Sequence, residues 1–462
     1  MGDPSDRGPA RLRALIAEAG CTYESLARSI NVIARENGDM HLRANRSSVA
    51  HWVAGSVPAR RTRGYLAEAL SRLLGRTVTS AELGFGAGFG DDDDRVDLGL
   101  SLTEDPVRVL SDLTAADLDR RVFLRTAAFS VIALDAPLET TVESLRRTGR
   151  TEDAQRAVRV GAGDVEAVHE LTAALTAVDE RLGGEHGRGA VVTYLGQDVT
   201  ALCRGPFADD GVERRMFSAA AQVAYLAGWK AHDAGLESLA QRYYLQAYHL
   251  ASRGGDEAHA GYVIRILGHH ALDIGRSNRC ADLARAAWAK ADGRSDPQTL
   301  SLFALNLARS HAAAGESRET ARWLNHAERL ASRPSESRPP RWVTLGGTPE
   351  ARLASQTAKT FTALGRHADA EPLYAAAGAR WSAATHPRVR ALDLHLLGSA
   401  QVKQGHLEQA CATWTAAVPT LREVRSARTR RALADINTSV TTSRHRDNPS
   451  ARELLALLQA TA

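Results

Sequence analysis

The segment LLGSAQVKQGHLEQACATWTAA, residues 396–417, decides the fold. Gly405 sits between two helical runs, where glycine supplies the positive φ of a tight turn between antiparallel helices. Gly398, seven residues earlier, and Ala410, five later, are small enough to let the two helices approach closely. Trp414, nine after the turn, is the large residue expected to fill the gap toward the next helix, with Ala417 beside it. The same register returns at Gly235, Gly275, Gly315 and Gly365, with spacings of 40, 40, 50 and 40 up to Gly405. The position seven before reads Gly228, Gly268, Ala308, Ala358 and Gly398; the position nine after reads Tyr244, Ala284, Leu324, Tyr374 and Trp414. The long interval carries a Ser/Pro-rich insert, SRPSESRPPRWVTLGGT, at 332–348. Recurring helix pairs stack into a superhelix, each burying its apolar face against its neighbours.

This pattern resembles the tetratricopeptide repeat (TPR), with a longer period and without the proline at the repeat end. The resemblance places the concave face on the first helix of each pair, at thirteen, ten, six and three residues before the turn glycine. Those positions hold Gln222, Tyr225, Trp229 and His232, then Tyr262, Arg265 and His269, then Arg309, Arg352, Lys359 and His395. Asn306 and Lys403 lie one register away. Acids are almost absent from this set, so the expected groove is basic and suits an extended peptide with acidic groups or another small ligand.

Upstream, RSSVAHWVAGSVPARRTR at 46–63 has the grammar of a short helix built to dock on an anion. Asn45 or Ser47 can cap its start. Val49, Trp52 and Val53 fall at i, i+3 and i+4 and are expected in a core. Gly55 and Pro58 end it. Arg46, Ser48 and His51 occupy the other face, beside Ser47 and Arg43, and Arg60, Arg61 and Arg63 follow. A capped helix N-terminus suits phosphate oxygens, and the first residues of such a helix can reach base edges in a major groove. Under that reading Arg46, Ser48 and His51 contact bases or nearby phosphates, and Arg43, Arg60, Arg61 and Arg63 position the backbone.

SVAHWVAGSVPARRTRGYLAEALSRLLGRTVTSAELGF (48–85) resembles the helix-turn-helix of actinobacterial regulators that join a DNA-binding head to a TPR body, such as the Nsd-type regulators of development and antibiotic production. The layout is more distantly similar to Gram-positive peptide-pheromone receptors. The resemblance implies a cytoplasmic transcription regulator, often a repressor, that binds double-stranded operator DNA. One departure stands out. Leu26 precedes Trp52 by 26 residues, about a dozen more than a compact repressor head has, so NVIARENGDMHL (31–42) must lengthen the second helix or loop outward.

The expected chain is therefore all-α: an N-terminal helix-turn-helix domain (1–86) followed by a TPR-like α-solenoid superhelix. A flexible acidic linker spans 87–112, an irregular helical segment with a degenerate first repeat 113–210, five TPR-like pairs 211–424, and capping helices 425–462. Of 462 residues, 58 are Lys or Arg and 54 Asp or Glu. Residues 1–86 hold 12 and 8 of these, and the remainder 46 of each, so the whole excess of +4 sits on the head, as a nucleic-acid reader requires. The four cysteines are far apart, which suggests neither a zinc site nor a disulfide framework. No apolar N-terminal run suggests export, and no stretch approaches the roughly 18 apolar residues that span a bilayer.

Several local matches are set aside. Asp91–Asp94 reads as solvated linker rather than a cation site. Arg120-Arg121-Val122-Phe123-Leu124 imitates a twin-arginine signal but lies more than 100 residues into the chain. Asp256-Glu257-Ala258-His259 spells a helicase box, yet no Gly-Lys-Ser/Thr exists to cradle phosphate. No catalytic constellation or cofactor motif is visible, so neither an enzyme nor a cofactor is expected. A homodimer would fit paired half-sites on DNA. The rival reading is a TPR adaptor whose head binds protein.

Overall fold

The structure is a computed structural model. It describes residues 8–36, 39–76, 78–79, 82–85, 98–100, 102–118, 129–130, 132–134, 159–276, 279–334, 339–343, 349–443 and 448–460. These residues are all-α apart from one isolated parallel bridge between Val160 and Phe207. Asp91–Asp94 and Arg120–Leu124 lie outside the described residues.

The N-terminal helices are α1 (Gly8–Glu18), α2 (Tyr23–Glu36), α3 (Arg46–Val53) and α4 (Arg60–Leu74). Thr22 opens α2 through reciprocal bonds with Ser25: Thr22 Oγ1 accepts from the Ser25 amide at 3.1 Å and Ser25 Oγ from the Thr22 amide at 3.0 Å. Leu12, Leu26, Ile30, Val49, Leu66 and Leu70 close a core among the four helices. Trp52, expected inside, is only half-buried at its edge. The extra dozen residues both lengthen α2 and form a loop. Asn31 pins that loop, with Nδ2 donating to the Ala44 carbonyl at 2.7 Å and Oδ1 accepting from its amide at 2.8 Å.

The five predicted pairs are α9 (Asp210–Asp233) with α10 (Glu237–Arg253), α11 (Glu257–Asp273) with α12 (Cys280–Ala291), α13 (Pro297–Ala313) with α14 (Ser317–Ala331), α15 (Pro349–Ala363) with α16 (His367–Arg380), and α17 (Pro387–Lys403) with α18 (Leu407–Glu423). Each pair turns at its repeat glycine, whose φ lies between +72° and +88°. Tyr244, nine after its turn, does reach the next pair, its ring centroid 5.6 Å from that of His270 on α11, but the large residue at this position covers its own pair as well. It lies on the small residue of its own pair: a Cβ at Gly398 would sit 2.3 Å from Trp414 Nε1, and one at Gly228 would sit 2.7 Å from Tyr244 Cε1. Consecutive pairs then stack on one another.

Ahead of the pairs run α5 (Pro106–Leu118), α6 (Ala162–Leu182), α7 (Arg188–Tyr194), a π-helical turn at Leu195–Val199 and α8 (Thr200–Arg204). Thus α5 begins inside the span read as linker, and Leu98 and Leu100 already pack on the body's core. Buried Arg188 joins Asp117 of α5 at 2.6 Å, and Tyr243 of α10 donates to the same carboxylate at 2.9 Å. After the pairs come α19 (Ala427–Thr441) and α20 (Pro449–Gln459).

The body closes on itself. The Arg425 amide donates to the Leu182 carbonyl at 3.0 Å, and the Glu185 amide to the Arg425 carbonyl at 3.2 Å. Arg388 of α17, fully buried, reaches Asp179 of α6 at 2.8 Å and Asp233 of α9 at 3.1 Å. Lys230 of α9 also holds Asp179, at 2.9 Å. The segment read as a terminal cap therefore seals the last pair against the first.

Candidate functional site

Two regions collect the residues singled out by sequence. The first is α3. Asn45 is its N-cap: Asn45 Oδ1 accepts from the Ser48 amide at 2.9 Å, and Ser48 Oγ accepts from the Asn45 amide at 3.3 Å. Gly55 takes φ +116° just beyond its end. Arg46, Ser47 and His51 are exposed on the outer face. Ser48 is half-buried, and its hydroxyl is committed to the cap. Arg43 is exposed, and its Nη1 donates to the Met40 and Leu42 carbonyls at 2.8 and 2.9 Å. Arg61 is held by Tyr65 Oη at 2.7 Å and Asp39 at 3.3 Å. Arg63 is half-buried, and the side chain of Arg60 lies outside the described residues. The open donors are therefore Arg46, Ser47 and His51, with Arg43 at their edge.

Among the described residues the head meets the body where α4 lies beside Ile132–Leu134 and at a shared carboxylate. Glu36, at the end of the lengthened α2, forms ion pairs with Arg72 of α4 and with Arg276 of the body, each at 2.8 Å. Arg276 follows the turn glycine of α11.

The second region is the interior of the closed body, where the first helices of the pairs face one another. A central chamber of about 100 Å³ adjoins two wider spaces, a larger mouth of about 870 Å³ and a smaller one of about 350 Å³. It shares Glu180 and His386 with the first, and Lys359, Leu392 and Arg428 with the second. Trp229, Arg265, His269, Asn306, Arg352 and Lys359 line the chamber. His232, Arg309 and His395 line the smaller mouth, and Gln222 the larger one. Tyr225 and Tyr262 are buried in an aromatic cluster with centroids 6.0 Å apart. Lys403 is exposed and lines none of these spaces.

The expectation of an acid-poor groove does not hold. Asp273, two residues before its turn glycine, takes Arg309 at 2.6 Å and His269 at 3.4 Å. Asp393 and Glu180 line the chamber itself. Burial pushes the His269 ring well below its ordinary pKa, against the pull of Asp273 and with help from Arg309, Lys359 and Arg265. Burial likewise lowers Lys359, with Asp393 and Asp273 opposing. Arg265 is different. It is only 5% exposed, lies 4.5 Å over the Tyr262 ring, and its Nε and Nη2 have no hydrogen-bond partner. Both amide atoms of buried Asn306 are also unpartnered.

Beside the smaller mouth, His232, Glu237 and His270 form a cluster close enough to hold a metal ion. Their present geometry is a hydrogen-bonded one: Glu237 Oε2 lies 2.7 Å from His232 Nδ1 and 2.8 Å from His270 Nε2. Burial alone would raise Glu237, but the two histidines override it and bring its pKa to about 2. For His232 burial acts downward, yet bonds to Asp273 and Glu237 prevail and raise it.

Sequence reasoning missed this cluster, the Arg388–Asp179–Asp233 closure and Arg428. A signal existed. Arg388 opens a helix right after Pro387, and Asp233 and Asp273 each end one, all three against the helix dipole. Charges so placed need partners from elsewhere in the fold.

The SP15 N-terminal domain family matches residues 12–86, the span of the head. Comparison of the chain with curated proteins gives no match. Among the described residues no helix is long and apolar enough to cross a membrane.

Proposed function

We propose that the chain is a cytoplasmic transcription regulator. Its head reads double-stranded operator DNA as a helix-turn-helix variant, and its body is a TPR-type superhelix that senses a ligand or partner. The observation that carries the reading is α3: a capped helix with Arg46, Ser47 and His51 exposed together on a head that bears the chain's whole positive excess. A helix N-terminus with free donors beside cations suits phosphate, and its short polar residues can enter a groove.

The coupling route we infer runs along α11. Arg265 and His269 face the chamber from this helix, and Arg276, just past its end, grips Glu36 of the head. A ligand that prefers one setting of α11 would shift the population of head positions and thereby operator affinity. In a homodimer, that shift would change how two heads meet paired half-sites. Repression of secondary metabolism or development is the role that fits the resemblance noted above.

Salt titration of binding to the DNA upstream of the chain's own gene tests the reading. Arg46→Ala is expected to lower the slope of log affinity against log salt by about one unit. An unchanged slope, or no salt-sensitive shift at all, refutes it. The adaptor reading draws support from Ser48 and Arg61, which spend their donors within the head.

A further inference from the structure

We propose that the central chamber binds a small organic carboxylate with an apolar body, Arg265 supplying the counter-charge and Asn306 the hydrogen-bonding amide. This deepens the sensing role proposed for the body and rests on it only for the consequence, not for binding itself. Three observations carry it.

The first is the state of Arg265. A guanidinium withdrawn from water is retained only when paired, because desolvating a lone cation is costly. Among the described residues of the closed body, three other buried cations have an acid: Arg188 has Asp117, Lys230 has Asp179, and Arg388 has Asp179 and Asp233, while buried Arg242 donates to the Ser238 carbonyl of its own helix at 2.9 Å. Arg265 has the Tyr262 ring and no carboxylate within ion-pair distance among the described residues. The two acids that line the chamber are engaged elsewhere. Asp393 accepts from Ser355 and from Trp381 Nε1, each at 2.9 Å, and Glu180 lies 3.3 Å from Arg388.

The second is Asn306. Its amide is 4% exposed and unpartnered at both atoms, although a buried amide ordinarily bonds at both. It can donate to a carboxylate that Arg265 neutralises. Lys359, which makes no ion pair at contact distance among the described residues, adds positive potential to the same space.

The third is the wall. Ile266, Leu302, Leu305, Val389, Leu392 and the Trp229 ring give the chamber an apolar wall, beside which Arg352, Ser355, Gln356, His386 and Arg428 also line it. An apolar wall beside convergent polar groups is the make-up of a small-molecule site. At about 100 Å³ the chamber is of small-molecule size.

The test uses the full chain in thermal-shift and calorimetric titrations with benzoate and hexanoate. Benzamide serves as the neutral isostere and inorganic phosphate as the bare anion. The two acids are expected to raise Tm in a dose-dependent way and benzamide is not. Arg265→Met should weaken the acids by about tenfold or more. It should also raise the Tm of the unliganded protein, since it removes a buried charge that has no partner. Arg265→Gln serves as the second variant should the methionine form fail to fold. The proposal is overturned if neither acid shifts Tm, if benzamide or phosphate acts as strongly as benzoate, or if both variants lower the unliganded Tm, which would make the guanidinium structural. Arg265-dependent binding with unchanged operator affinity would sink the sensor reading and leave the site standing.

Discussion

Arg388→Met is the substitution that most directly examines the closed body. Arg388 is fully buried and spans three carboxylates: Asp179 at 2.8 Å, Asp233 at 3.1 Å and Glu180 at 3.3 Å. Methionine fills similar volume, so the loss is electrostatic rather than a cavity. Removing one member of a buried ion network leaves the others uncompensated and typically costs about 3–5 kcal/mol. Partial relief is built in. Asp179 keeps Lys230 at 2.9 Å, and Asp233 keeps the Gly184 amide at 2.7 Å and Arg428 at 3.8 Å. Glu180, whose pKa burial already raises, can take up a proton once Arg388 no longer opposes it. The expected cost therefore lies near the lower end, about 3 kcal/mol. It should be local to the seam between the last and first pairs. Hydrogen exchange at the Arg425 amide, bonded to Leu182, and at the Glu185 amide, bonded to Arg425, should accelerate before exchange in α11 to α14 does. Urea unfolding gives the total. A cost under about 1 kcal/mol, the range of an exposed pair, together with unchanged protection at Arg425 and Glu185, would refute the argument that Arg388 holds the closure.

Two further outcomes are expected. Burial lowers His249 to about 4 and His259 to about 3, so both are neutral in the folded state. Their contribution is complete above the ordinary value of 6.5 and is lost as pH falls below it, because only the unfolded chain then takes up the protons. At about pH 5 the loss is about 2 kcal/mol for each, and a His249→Gln/His259→Gln variant should show a flatter dependence in a series of urea melts. An unflattened profile would remove these two rings from the account. Gly398→Ala forces a methyl to within 2.3 Å of Trp414 Nε1, so it should cost about 1–3 kcal/mol and disturb the indole's bond to the His395 carbonyl. Tryptophan fluorescence and Tm read both effects, and a neutral substitution would contradict the close approach.

The helical class and the turn positions were legible because they rest on local chemistry. A glycine that must adopt positive φ is visible in sequence whatever surrounds it, and all five repeat glycines do adopt it. The same locality made Asn45 readable as a cap. Trp414 and Tyr244 were recognised as filling residues, but register alone does not say which neighbours an aromatic ring covers: both lie on the small residue of their own pair, and Tyr244 also meets His270 of the next. The chamber was half legible. Six residues read from repeat register line it, but their acids could not be read there, since Asp273 and Asp393 occupy other positions in the repeat. The closure was the least visible. It depends on contacts across more than 200 residues, such as the 209 between Arg388 and Asp179, for which one chain offers no periodic signal. What remained were charges set against helix dipoles.

The seam also restricts how such a chain can vary. An open array of repeats can gain or lose a unit at modest cost, since each unit answers only to its neighbours. Here the number of pairs and the long interval before the fourth must together bring Arg388 and Arg425 back to Asp179 and Leu182. Deleting one forty-residue unit would preserve every local interface of the remainder and still leave Asp233 without Arg388. Repeat count thus behaves as a tuned length rather than a free variable, and even the long interval is tied in, its buried Trp342 stacked on His259 and donating to Asp256 at 3.0 Å.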